Sequence, residues 1–215
     1  MFQPSQTHLN LYNLVEAQVL EFWFCVIDHV EPRSRSVVAV SLVKPPESWV
    51  KLNTNCSVKG SPRIAGCGGL LRDYHGNWIS GFVRAIGITL SLAVGLWAIH
   101  DGLARCYHLS LQAVEVEVDA SVAISLLFQD VHTNGEFSSL IDDCRNLMKN
   151  IHQIRLKQCF REANRCVDAL AKFGTTMEED FIFYKSSPVF ILNLLHYDKM
   201  GLTQDHLCNI VVDTT

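Results

Sequence analysis

Eight cysteines and nine histidines are the groups in this chain most able to hold a metal or attack a substrate. The cysteines are Cys25, Cys56, Cys67, Cys106, Cys144, Cys159, Cys166 and Cys208. None forms a C-x-x-C pair, and their spacing matches no zinc site. Most sit in apolar segments of a long chain, so they read as small buried thiols of a reducing compartment. The histidines are scattered and form no cluster with metal-ligand spacing. Two aspartates stand on or beside regular segments. Asp119 closes the alternating run VEVEVD just before a helix start, where its side chain can cap orphan amides. Asp168 sits on the last helix of the middle region and reads as a solvated helix residue. Asn55 can cap or close a turn. Gln158 reads as strand surface.

The elements that position these residues follow from periodicity. Trp49 to Ser57 reads as a half-buried strand, with Val50, Leu52 and Thr54 alternating with Lys51, Asn53 and Asn55. A loop at Lys59, Gly60, Ser61 and Pro62 leads to a glycine cluster. Two more strands follow, at 66–73 and 78–86, joined by a hairpin turn around Gly76. The stretch 90–107 reads as a helix, with Leu92, Leu96, Ile99 and Leu103 at three- and four-residue steps. A strand at 114–119, helices at 120–128 and 137–150, a strand at 153–161 and a helix at 164–173 complete the order βββαβααβα. That order implies an α/β fold with a mixed five-stranded sheet and helices on both faces. Three strands are antiparallel and the next two parallel. Trp49, Trp78 and Trp97 fall at apolar positions and read as core.

Outside that region the signals are weaker. Leu11 to Val26 has helical spacing, and Val37 to Val43 is an apolar, strand-like run before Pro45 and Pro46. The expected organisation is an N-terminal extension at 1–46, a domain at 47–175 and a tail at 176–215. Hydrophobic content of 48% and charged content of 19% in 215 residues exclude a disordered chain. Ala85 to His100 lacks Asp, Glu, Lys and Arg, but its sixteen residues fall short of the roughly 18–20 that span a bilayer. Residues 1–10 lack the basic start and apolar run of a secretory leader. The expectation is a monomer inside the cell, nuclear or cytoplasmic, away from membranes. Net charge is −4, yet residues 49–173 carry 13 Lys and Arg against 11 Asp and Glu. An excess of two is as consistent with a solvated surface as with a nucleic-acid face.

Four blocks in order carry a family resemblance: KLNTN with GCGGLLRD, SLAVGLWAIHDGL, VEVEVDAS and KQCFREANRCVDALA. Over about 49–200 the chain resembles the type 1 ribonuclease H-like domain of plant retroelement-derived proteins. The resemblance implies metal-dependent hydrolysis of the RNA strand of RNA–DNA hybrids. In that chemistry two Mg²⁺ (or Mn²⁺) ions about 4 Å apart clamp the scissile phosphate, held by hard carboxylate oxygens. Carried over residue by residue, the family's four carboxylates fall on Asn55, Gly95, Asp119 and Asp168, and its histidine on Gln158. Two of the four are therefore replaced by groups without charge. Cys56 also stands where glycine is usual. The resemblance implies metal contact at Asp119 and Asp168 alone, and nucleic-acid contact from Lys59, Arg63 and Arg84. The expectation is a nucleic-acid-binding domain with a degraded centre. The alternatives are a non-catalytic module for hybrid or double-stranded RNA, and a retroelement relic without a selected function.

Overall fold

The structure is a computed structural model that describes residues 35–60, 64–88, 91–119, 121–128 and 137–209. Its strands are β1 (Arg35–Val40), β2 (Val50–Lys59), β3 (Ile64–Arg72), β4 (Trp78–Ile88), β5 (Ala113–Val118), β6 (Gln153–Gln158), β7 (Phe181–Tyr184) and β8 (Gln204–Asn209). The helices are α1 (Ser91–His108), α2 (Ser121–Phe128), α3 (Ser138–Lys149), α4 (Arg165–Gly174) and α5 (Leu192–Lys199). Short 3-10 turns at Arg161–Ala163 and Val189–Ile191 precede α4 and α5. The helical spacing read at Leu11–Val26 lies outside the described residues.

The main sheet has the order β6-β5-β2-β3-β4-β7. β2, β3 and β4 form the expected antiparallel meander, and β5 and β6 add in parallel on the other side of β2. The turn between β3 and β4 is closed by the Gly76 N–H to the Asp73 carbonyl, with Gly76 at φ 83°. One strand was not expected. β7 pairs antiparallel with β4 through Gly81–Tyr184 to Arg84–Phe181, making the sheet six-stranded. The sheet thus runs past the boundary expected at 175. α5 is also tied down, because Asp198 accepts a 2.6 Å ion-pair contact from buried Arg72 on β3. The run read as a strand at 37–43 appears as β1, which pairs with β8 in a separate two-stranded ribbon.

The two faces of the sheet are covered differently. Leu52, Leu71, Val114, Val116 and Val118 face α1, α2 and α3 and pack with Leu96, Ile99, Leu103 and Ile141. α1 meets this face through the apolar stripe read from its spacing, and Arg105 and His108 sit in its last turn, at the negative end of its dipole. The opposite face is covered by α4, through Val167 and Leu170 against Leu70 and Val83. The residues between the apolar positions of β2 were expected at a half-wet surface. Instead Lys51 and Asn53 are completely buried. Helices on both faces leave no wet side for a central strand.

Glycines in β3 set how closely α4 approaches. A Cβ on Gly68 would lie 2.6 Å from Leu170 Cβ, and one on Gly66 would lie 2.5 Å from the Gly174 carbonyl carbon. The helix therefore rests directly on the strand backbone, and this places Asp168 over β2. Gly68→Ala is expected to lower stability by about 1–3 kcal/mol through overpacking. Denaturant melts measure it, and an unchanged midpoint would show that α4 can lift without penalty.

Candidate active site

Register brings the site together on the α4 face. β2 and β5 run in parallel with Lys51 opposite Glu115 and Asn53 opposite Glu117. Thr54 and Val118 form the last paired rung, and Asn55 and Asp119 follow immediately after it. This face of β2 and β5 thus carries three successive polar rows. The first two are internal. Lys51 Nζ lies 3.1 Å from Glu115 and bonds directly to Glu117, Asn53 Nδ2 donates to Glu117 at 3.0 Å, and Lys157 Nζ meets Glu115 at 2.6 Å. Two charged rows buried beneath a helix need this mutual pairing, since an unpaired buried charge is expensive. The glutamates of VEVEVD are therefore committed to Lys51, Asn53 and Lys157.

The third row holds the candidate site. Asn55 is 2% exposed; its Oδ1 accepts the Cys56 N–H at 2.7 Å and its Nδ2 lies 3.4 Å from Asp168 Oδ1. α4 carries Asp168 to this point because Asn164, at the helix start, is tethered to β2. Its buried Nδ2 donates to the Thr54 carbonyl at 2.9 Å, one residue before Asn55. β6 ends at Gln158, short of the expected Arg161, and the chain turns through Arg161–Ala163 before α4. Asp168 is not the solvated helix residue that its position suggested. Arg161 Nη2 and Nε lie 2.9 and 3.2 Å from its Oδ1, and Lys172 Nζ lies 2.6 Å from its Oδ2. Asp119 ends this row, and its negative charge is felt at Cys56 and Arg161. Burial pushes the Cys56 thiol up to about 12; Asp119 and Asp168 push the same way and Arg161 opposes them. The thiol beside the site is therefore a protonated, weakly nucleophilic group.

The other expected positions divide. Gly95 is buried in the second turn of α1 and supplies no ligand atom. Gln158 is exposed at the end of β6, opposite Val118 and so adjacent to the Asp119 row. Lys59 is exposed at the end of β2, and Arg63 lies outside the described residues. Arg84, expected as a nucleic-acid contact, also makes an internal one. It forms a two-point contact with Asp101 at 2.6 and 2.9 Å, between the rings of Trp97 and Phe181 at 5.1 and 4.9 Å. Its fork is satisfied by a carboxylate from α1, so it ties β4 to α1 and β7.

These donors do not fit a pair of divalent ions. Two Mg²⁺ ions close together require several anionic oxygens. Asn55 offers a neutral amide already bonded on both sides, Gly95 offers nothing, and both Asp168 oxygens contact cations. Among the described residues no group of three or more His, Cys, Asp or Glu is placed to hold a metal ion. No helix among them is long and apolar enough to cross a membrane.

The pairing has a consequence for acid stability. Burial raises the Glu115 pKa, but hydrogen bonds from Lys157 and Lys51 outweigh it and hold it below the usual range. Asp73 and Glu162 are also depressed: burial opposes, but Asn77 and His75 outweigh it at Asp73, and His206 at Glu162. Depressed carboxylates stabilise the fold above their unfolded pKa of about 4–4.5, and that stability is lost as pH falls through the folded values. Melts at pH 7, 4 and 3 should show a steady loss below about pH 4.5. Glu115→Gln should flatten it, and an equally steep loss in that variant would remove Glu115 from the account.

Comparison with known proteins agrees with this architecture. Residues 53–174 match the reverse transcriptase-like family. An Arabidopsis thaliana protein named for ribonuclease H is 31% identical over 165 residues, covering 77% of this chain and 27% of the relative. The chain thus spans about a quarter of that relative's length. Ribonuclease H1 of Halobacterium salinarum superposes with a TM-score of 0.55 at 19% identity, over 60% of this chain and 98% of that one. The N-terminal ribonuclease H domain of a Mycobacterium tuberculosis protein gives 0.55 at 18%, over 60% and 94%. A foamy viral protease–reverse transcriptase solved with an RNA/DNA hybrid gives 0.54 at 14%, over 67% and 22%. With the ribonuclease H fold shared across these structures and the family match running from within β2 to the end of α4, the chain belongs to the reverse transcriptase-like family, as a ribonuclease H-like domain of the plant retroelement type.

Proposed function

We propose that this domain binds RNA–DNA hybrid or double-stranded RNA as an intracellular monomer and does not cleave it. The observation that carries the reading is the Asn55 amide lying against Asp168, where two-metal hydrolysis needs an anionic ligand. Gly95 removes a second ligand. The fold itself supports a duplex-binding role, since a larger protein that contains a part with the same fold was solved with an RNA/DNA hybrid. A single preparation tests both halves. With Mg²⁺ or Mn²⁺, hybrid cleavage should not exceed that of an Asp119→Ala, Asp168→Ala control. Binding should be measurable and fall steeply with salt, because phosphate contacts release counterions. Cleavage that Asp119→Ala abolishes would overturn the non-catalytic reading. Failure to bind either duplex at low salt would overturn the binding reading and favour a relic.

A further inference from the structure

Arg161 and Lys172 reach Asp168 from two different elements, the 3-10 turn before α4 and the helix itself. Their side chains are 60% and 62% exposed, whereas that of Asp168 is 15% exposed. The carboxylate thus lies beneath two cations that extend into solvent. Arg161 places its Nε–Nη2 edge on one oxygen and leaves its Nη1 edge for another acceptor. Lys172 spends one of three N–H donors on the other oxygen. Four carboxylates here would repel a phosphate unless divalent ions lay between. With Asn55 in the row and Gly95 on α1 in place of carboxylates, Asp119 and Asp168 are matched in number by Arg161 and Lys172, which leaves these four groups without net negative charge. Guanidinium and ammonium groups are the usual protein ligands of phosphate.

We propose that Arg161 and Lys172 form a backbone-phosphate site that grips nucleic acid without any divalent ion, at the place where the fold would otherwise use metal. The proposal rests on the nucleic-acid-binding reading above and adds where the contact is made and what it does not need.

The test is hybrid affinity by fluorescence anisotropy, in EDTA and in Mg²⁺, across a salt series. The parent should bind equally well in both buffers. Arg161→Gln with Lys172→Gln should weaken binding about tenfold and make the salt slope shallower by about two. Arg161→Lys, which keeps the charge, should retain most of the affinity. A charge-matched control removes cations at the opposite end of β3. There Lys44 lies against Gly76 and Lys199 Nζ bonds Asn77. Lys44→Gln with Lys199→Gln should change affinity by no more than about twofold. Binding that requires Mg²⁺ would overturn the proposal, as would a double variant no weaker than the control; either result leaves the binding function standing. No binding by the parent in either buffer would end both.

Discussion

Replacing Lys51 with Met should lower stability by about 3–5 kcal/mol, the loss expected when one partner of a buried ion cluster is removed. Lys51 has no solvent contact and is the cation shared by Glu115 and Glu117. Methionine fills similar volume, so the change is mainly electrostatic. It leaves Glu117 with the neutral Asn53 amide and Glu115 with Lys157 alone. For a chain of this size the drop corresponds to roughly 6–20 °C in melting temperature. A second variant separates charge from packing. Lys51→Met combined with Glu115→Leu and Glu117→Leu removes both stranded carboxylates and should recover much of the loss, because apolar replacement of a whole buried cluster is often close to neutral. Thermal and urea melts of both variants decide it. A single variant within about 1 kcal/mol of the parent would mean that water reaches the cluster and screens it.

This cluster also shows where the sequence was legible and where it was not. The alternation of β2 correctly separated its two faces, and the order of strands and helices around it was readable because each signal is local. Alternation does not show that the polar face is covered. Burial of that face depends on α4, more than a hundred residues later in the chain, and on glycines at 66 and 68 that let the helix settle onto the backbone. β7 is hard to read for a related reason. It has four residues, and only its pairing with β4 makes it a strand. At the site, the approach of Lys172 to Asp168 could be read from their four-residue spacing on one helix. Arg161 could not, since a 3-10 turn intervenes and the Asn164 tether fixes its geometry. The pairing of Arg84 with Asp101 is not legible in the sequence either, because Asp101 lies on the helix that follows and the contact forms only once β4 and α1 pack.

Restoring the family's carboxylates, Asn55→Asp with Gly95→Glu, should destabilise the metal-free protein and make it responsive to Mg²⁺. In the parent the Asn55 amide sits 3.4 Å from Asp168 as a donor. An aspartate there would face Asp168 as a like charge, an interaction of about 4 kcal/mol at close range near a protein surface. Arg161 and Lys172 would offset part of that repulsion, leaving a net loss of about 2–3 kcal/mol. Against it, replacing a glycine inside α1 regains only about 0.5–1 kcal/mol of helix propensity. Repulsion therefore wins in EDTA, and the variant should melt roughly 2–10 °C below the parent. The balance reverses when a divalent ion enters. An ion that binds only the folded state adds about 2.7 kcal/mol at a hundredfold excess over its dissociation constant. Mg²⁺ should thus raise the variant's melting temperature while leaving the parent, whose Asp168 already meets two protein cations, unmoved. Melts of both proteins in EDTA and in Mg²⁺ make the comparison. An equal shift in both would mean that the four positions do not share a metal site, and the correspondence of Asn55 and Gly95 to metal-ligand positions would fall with it.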